Sequence, residues 1–262
     1  MRRRITTHLS LFLIAIVVLS SCAPKKTHVY YQNIDEVLNN NEKLVNFETK
    51  LQPDDLLMII VSAEDVESAA PFNLVNSMTP NPNSPERGGQ AQQQLYLIDA
   101  KGNIEFPIIG TLNLGGLTRS QAITLIKDKV ERYLNNPIIN LRIMNFKITV
   151  QGEVVRPGVH TVNSERLTLP EALALSGDMT IYGKRENILI IRENNGQRTY
   201  NRVDMTKADF LNSPYYFLNQ NDIVYVEPNK TRINSSSVGP NISVGISALS
   251  LLVTILALTI RK

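Results

Sequence analysis

A chain of 262 residues with 43% apolar content is long enough for one large or two modest domains and apolar enough to bury a core, which excludes a disordered or fibrous protein. Its formal charge of +3 is supplied by Arg2, Arg3 and Arg4. Without them 24 basic groups face 24 acidic ones, and without Arg261 and Lys262 as well 22 face 24, so no positive field remains to gather nucleic acid. One Cys and three His exclude a Cys/His metal cluster within one chain. His8 lies in the N-terminal segment, and His28 and His160 read as ordinary polar residues rather than catalytic bases.

In chain order, a cationic start at Met1 to Arg4, an apolar stretch from Leu9 to Leu19 and small residues before Cys22 predict a secretion signal over 1–21, too short to span a bilayer. Leu19-Ser20-Ser21-Cys22 resembles the lipobox of bacterial lipoproteins, which implies N-terminal lipid modification at Cys22. Ala23, in place of Asp, resembles lipoproteins forwarded to the outer membrane. The alternative is a plain secretory signal with an incidental Cys. Residues 22–46 then read as a polar tether whose one apolar cluster is Val29-Tyr30-Tyr31.

Residues 47–145 read as a first mixed unit. Leu51 to Val61 predicts a turn entering a buried strand. A Pro-, Gly- and Gln-rich insertion over 63–94 reads as a mobile loop or as a clasp on a neighbouring subunit. Leu95 to Ile98 and Ile104 to Ile109 predict a hairpin about Asp99-Ala-Lys-Gly102. Thr118-Arg-Ser-Gln121 is a capping box, and the helix it opens buries Ala122, Ile123, Leu125, Ile126, Val130, Tyr133 and Leu134 before Asn135-Asn136-Pro137. Ile138 to Ile143 alternates as a strand.

Residues 146–228 read as a second unit. Ile148 to Val162 predicts a hairpin reversing at Pro157-Gly158, Thr168-Leu-Pro-Glu171 caps a helix that stops at Gly177-Asp178, and strands follow at Asn187 to Arg192, Arg198 to Val203 and Asp222 to Val226, the last closing the sheet. After a linker over 229–242, Ser243 to Ile260 carries neither charge nor Pro and ends at Arg261 and Lys262. At 1.5 Å per residue it is about 27 Å long, which predicts a transmembrane helix over 243–262. Ser243, Ser247, Ser250 and Thr254 draw one small, hydroxylated stripe along it. These hydroxyls either bond back to their own helix, form a tight helix interface, or line the lumen of a helical ring.

Leu51-Gln-Pro-Asp-Asp-Leu56, and Asp99 to Thr118 with Gly102, Pro107, Gly110 and Gly116-Leu117-Thr118, resemble the polysaccharide export domain of Wza-like outer-membrane export lipoproteins. Asp54 departs from that pattern, which has Gly at this turn. Ile148-Thr-Val-Gln-Gly-Glu-Val-Val-Arg-Pro-Gly158 resembles the opening of a soluble-ligand-binding β-grasp (SLBB) domain. The predicted fold class is therefore α+β, two small mixed domains followed by a single C-terminal transmembrane helix. The resemblance implies a non-catalytic subunit of an oligomeric outer-membrane channel for capsular or exopolysaccharide. Its implied partners are further copies of itself, an inner-membrane polysaccharide copolymerase, the polysaccharide chain and membrane lipid, with no nucleic acid and no cofactor.

Two rivals stand beside this reading. One is a lipid-anchored carbohydrate- or cell-wall-binding module without a pore, against which Trp is absent and Tyr215-Tyr216-Phe217 is the one dense aromatic group. The other is an enzyme, against which the sequence pairs Asp54-Asp55 and Glu64-Asp65 fall on neighbouring positions that point to opposite faces of a strand.

Overall fold

A computed structural model describes residues 28–37, 47–73, 75–76, 92–194, 196–237 and 240–260. The predicted signal over 1–21, Cys22, most of the tether and half of the insertion lie outside the described residues.

The first unit is a three-stranded sheet covered by one helix. β1 (Leu56–Ser62) is central, with β4 (Tyr96–Leu97) and β7 (Ile138–Ile143) antiparallel on either side; Ile59 faces Leu141 across the β1–β7 ladder. β1 alternates instead of being buried throughout: Leu57, Ile59 and Val61 point into the core while the residues between them are half exposed. α3 (Arg119–Val130) lays Ala122, Ile126 and Val130 on this sheet and is opened by the predicted capping box, with both reciprocal bonds of Thr118 and Gln121 present. Leu134 is buried beyond its end, but Tyr133 is exposed. Within the insertion, α2 (Val66–Ala69) and a 3₁₀ turn at Ala70–Phe72 follow β1, and β2 (Val75–Asn76) pairs with β3 (Gln92–Gln93). The Asn73 side chain both donates to Val61 O and accepts from Val61 N, so it takes the place of a strand partner at the end of β1.

The predicted hairpin is shifted by one strand. β4 pairs with β1, and the hairpin is made by β5 (Asn103–Phe106) and β6 (Gly110–Asn113). Pro107 and the positive φ of Ile108 (66°) and Gly110 (83°) make the reversal, so residues read as the end of a strand are its turn. The Asp99 to Gly102 turn instead folds back on Gly115, whose hypothetical Cβ would lie 2.7 Å from Gly102 Cα, so these two backbones touch only because both residues are Gly.

The second unit is a five-stranded sheet. A hairpin of β8 (Lys147–Gly152) and β9 (Gly158–Thr161) leads to α4 (Leu169–Leu175), then to a second hairpin of β10 (Gly183–Asn194) and β11 (Gln197–Val203). The final strand β12 (Ile223–Pro228) does not close an edge. It inserts between the hairpins, antiparallel to β10 and parallel to β8 with Val150 opposite Val224. Ile148, Val150, Ile188, Ile190, Val224 and Val226 form the buried face on which Leu169, Ala172 and Leu173 of α4 pack. The two cores are distinct and meet near Ile143, which packs against both.

α1 (Ile34–Val37) and the residues before it lie on the second unit, where Gln32 N donates to Thr206 O and the Tyr31 ring stacks on Phe210 at 5.7 Å. At the other end, α5 (Lys230–Ser237) precedes α6 (Pro240–Ile260). The expected transmembrane helix over 243–262 is not supported: among the described residues no helix is long and apolar enough to cross a membrane. Asn241, Ser243, Ser247, Ser250, Thr254 and Thr259 interrupt the apolar run of α6 at almost every turn, so no unbroken stretch approaches the ~20 apolar residues a bilayer requires.

Candidate functional site

A cavity of about 470 Å³ opens where the two units meet. Four short pieces of chain build it: residues 47–49 entering the first unit, the N-terminus of α3, the β7–β8 junction and the loop after β9. The isolated pairing of Lys50 with Thr118 fixes the first piece against the second. Phe47, Ile143 and Phe146 supply its apolar surface. Phe47 is held by stacking on Phe217 of the second unit at 4.7 Å between centroids.

Around that surface stand three guanidiniums and two carboxylates. Arg119 is spent on structure, since its Nε donates to Leu141 O at 2.8 Å and lies 3.3 Å from Glu165 Oε1. Glu48 accepts from the Ser120 hydroxyl, which with Thr118 holds its carboxyl below the ordinary range and keeps it ionised. Arg166 lies over the Phe217 ring at 5.8 Å. Arg142 is exposed at the rim and has no ion pair or side-chain hydrogen bond among the described residues. The arrangement can therefore bind and orient an anion; it holds no paired nucleophile and base.

A second, wider groove of about 890 Å³ runs between the Lys50 to Asp54 turn, the touching Gly102 and Gly115 backbones, and the outer end of the β10–β11 hairpin with Glu193, Arg198 and the exposed Tyr200.

The residues singled out from sequence fall elsewhere. Cys22 lies outside the described residues. Ser243, Ser247, Ser250 and Thr254 all lie on α6, where the Ser250 hydroxyl donates to Ser247 O and that of Thr254 to Ser250 O, both at 2.8 Å. His160 Nε2 is 2.9 Å from Ser176 Oγ, but that hydroxyl is buried and bonds Ala172 O, so the contact joins β9 to α4. Asp54 and Asp55 occupy a turn and not a strand, Asp54 exposed and Asp55 buried, while Asp65 caps α2. Tyr215 lies under the Arg192 guanidinium at 5.2 Å and Tyr216 packs on Phe210, so the aromatic cluster is used mainly for packing. The cleft residues Phe47, Arg119, Arg142 and Arg166 escaped sequence reading because they share no local spacing; only the meeting of the two units brings them together.

Residues 45–144 match the sequence model of the family described as polysaccharide biosynthesis/export protein. The chain is 26% identical over 137 residues to the EPS I polysaccharide export outer membrane protein EpsA of Ralstonia solanacearum, covering 51% of this chain and 36% of that protein. It is 28% identical over 109 residues to the protein of the same name from Ralstonia nicotianae, covering 40% and 29%. The similarity thus spans about a third of the length of these relatives.

Proposed function

We propose that this protein, whose residues 45–144 match the model of the polysaccharide biosynthesis/export family, is a non-catalytic component of an outer-membrane apparatus that exports exopolysaccharide. The observation that carries the reading is the coincidence of the matched stretch with a complete folded unit, the one whose core runs from Leu51 to Leu141. The relatives' names supply the cargo and the membrane. We read the second unit, from its hairpin–helix–hairpin–strand order, as an SLBB β-grasp-like domain, which supports the same function. Several copies assemble into a periplasmic ring, Cys22 carries the lipid anchor, and an inner-membrane polysaccharide copolymerase docks beneath. The Ser243, Ser247, Ser250 and Thr254 stripe serves as a close-packing seam between neighbouring copies of α6.

The test is a clean deletion with plasmid complementation, scored as polymer released from cells. Loss of released polymer, restored by the wild-type gene and not by Cys22→Ser, is expected; undiminished release from the deletion strain overturns the reading.

A further inference from the structure

We propose that the cleft between the two units is a binding site for a sugar residue bearing a single carboxylate, with Arg142 and Arg166 receiving the carboxylate and Phe47 and Ile143 the apolar face of the ring. For the sugar, the inference rests on the export reading above; for the charge, it rests on the cleft itself. The cavity of about 470 Å³ lies within the ~300–1,000 Å³ of small-molecule sites, and domain boundaries are where such sites concentrate.

The charge count selects the ligand. Three guanidiniums and two carboxylates line the cleft, and Arg119 and Glu165 neutralise each other. Glu48 remains as one negative charge, bonded to Ser120, against the two positive charges of Arg142 and Arg166. The surplus is a single positive charge. One carboxylate balances it, whereas a doubly charged phosphate overshoots and meets Glu48, and a neutral sugar leaves the surplus unanswered. Guanidinium is the side chain best matched to a carboxylate, offering parallel N–H donors in a planar fork. Arg142 is free to swing inward, while Arg166 is braced by the Phe217 ring. Asn163 and Ser164 at the same rim offer side-chain amide and hydroxyl groups to ring hydroxyls.

Calorimetry of the purified full chain with tetragalacturonate, maltotetraose and acetate separates charge from sugar. Tetragalacturonate should bind at least tenfold more tightly than maltotetraose or acetate, and weaken as salt is raised. The Arg142→Gln/Arg166→Gln double variant should lose at least tenfold in affinity for tetragalacturonate while its thermal unfolding stays within a few degrees of wild type. Arg142→Lys, which keeps the charge and loses the fork, should fall between and serves if the double variant unfolds early. No binding of tetragalacturonate, equal binding of maltotetraose, or unchanged affinity in the Arg variants overturns the proposal. The export reading fails separately, if the deletion strain still releases polymer.

Discussion

Asp54 sits at φ 69° in the turn leading into β1, a left-handed conformation that costs a residue with a Cβ about 1 kcal/mol and Gly almost nothing. The position at which the sequence departs from the export-domain pattern is thus one where backbone geometry favours the expected Gly. Next to it, Asp55 is fully buried; one carboxylate oxygen accepts from Gln52 N and the other has no hydrogen-bond partner among the described residues. Burial pushes its carboxyl up to about 6, and the neighbouring charge of Asp54 adds to the rise. Because the folded value lies above the unfolded one, the native state holds the proton more tightly. This group's contribution is therefore fully favourable below about pH 4 and is lost as pH rises through about 6. Asp55→Asn, which keeps the acceptor for Gln52, should raise stability at pH 8 by up to about 3 kcal/mol and make little difference at pH 4, as read by urea unfolding at both values. Asp54→Gly should add about 1 kcal/mol at pH 4 and more at pH 8, because removing its charge also lowers the Asp55 midpoint, as read in a carboxyl-resolved NMR titration.

At the scale of elements, what could be read from sequence was what is written locally. Both capping boxes form as the spacing of Thr118 to Gln121 and Thr168 to Glu171 requires, each worth about 1 kcal/mol. The β5–β6 hairpin was misplaced because Pro107 and Ile108 continue an apolar alternation while their backbone turns. The central seat of β12 was not legible, because a strand's neighbours are not encoded in its own residues. That seat depends on Gly152, at φ 92°, where a Cβ would stand 2.0 Å from Val226 O across the parallel β8–β12 pair. Gly152→Ala should therefore destabilise the second unit by about 3 kcal/mol or more, measured as a fall in its unfolding midpoint, although the residue lies near the surface end of its strand. In α6 the periodicity of the hydroxyls was legible but their role was not: back-bonding to Ser247 O and Ser250 O satisfies them within the helix and leaves a smooth, narrow face. If that face is the seam between copies, replacing Ser247, Ser250 and Thr254 together by Leu should shift native mass spectra from oligomer toward monomer at unchanged expression; unaltered oligomers would remove the seam from the assembly.

For the whole molecule, the decisive contact is the one that fastens the start of the chain to the second unit. The Tyr30 hydroxyl donates to Asp178 Oδ1 at 2.6 Å, and the Arg185 guanidinium lies over its ring at 5.1 Å while donating to the carbonyls of Met179, Thr180 and Gly183. Desolvation, reinforced by the bond to Asp178, raises the Tyr30 phenol far above its ordinary range, so it stays a donor at any working pH. Asn33 completes the attachment by accepting from Ala208 N and donating to Asp209. Only seven residues lie between Cys22 and Tyr30, and the eight steps of chain at full extension reach about 29 Å. With the proposed lipid at Cys22, this face of the second unit would be held within about 30 Å of the bilayer surface and the first unit would follow the position of the second. Because Tyr31 and Asn33 hold the same segment, breaking the attachment takes Tyr30→Ala, Tyr31→Ala and Asn33→Ala together, which lengthens the leash. Neutron reflectometry of the lipidated protein on a supported bilayer should accordingly show the protein layer close to the membrane and sharply bounded in the wild type, and broader and farther out in the triple variant. The same profile for both would mean that something other than this docked segment sets the height of the domains above the membrane.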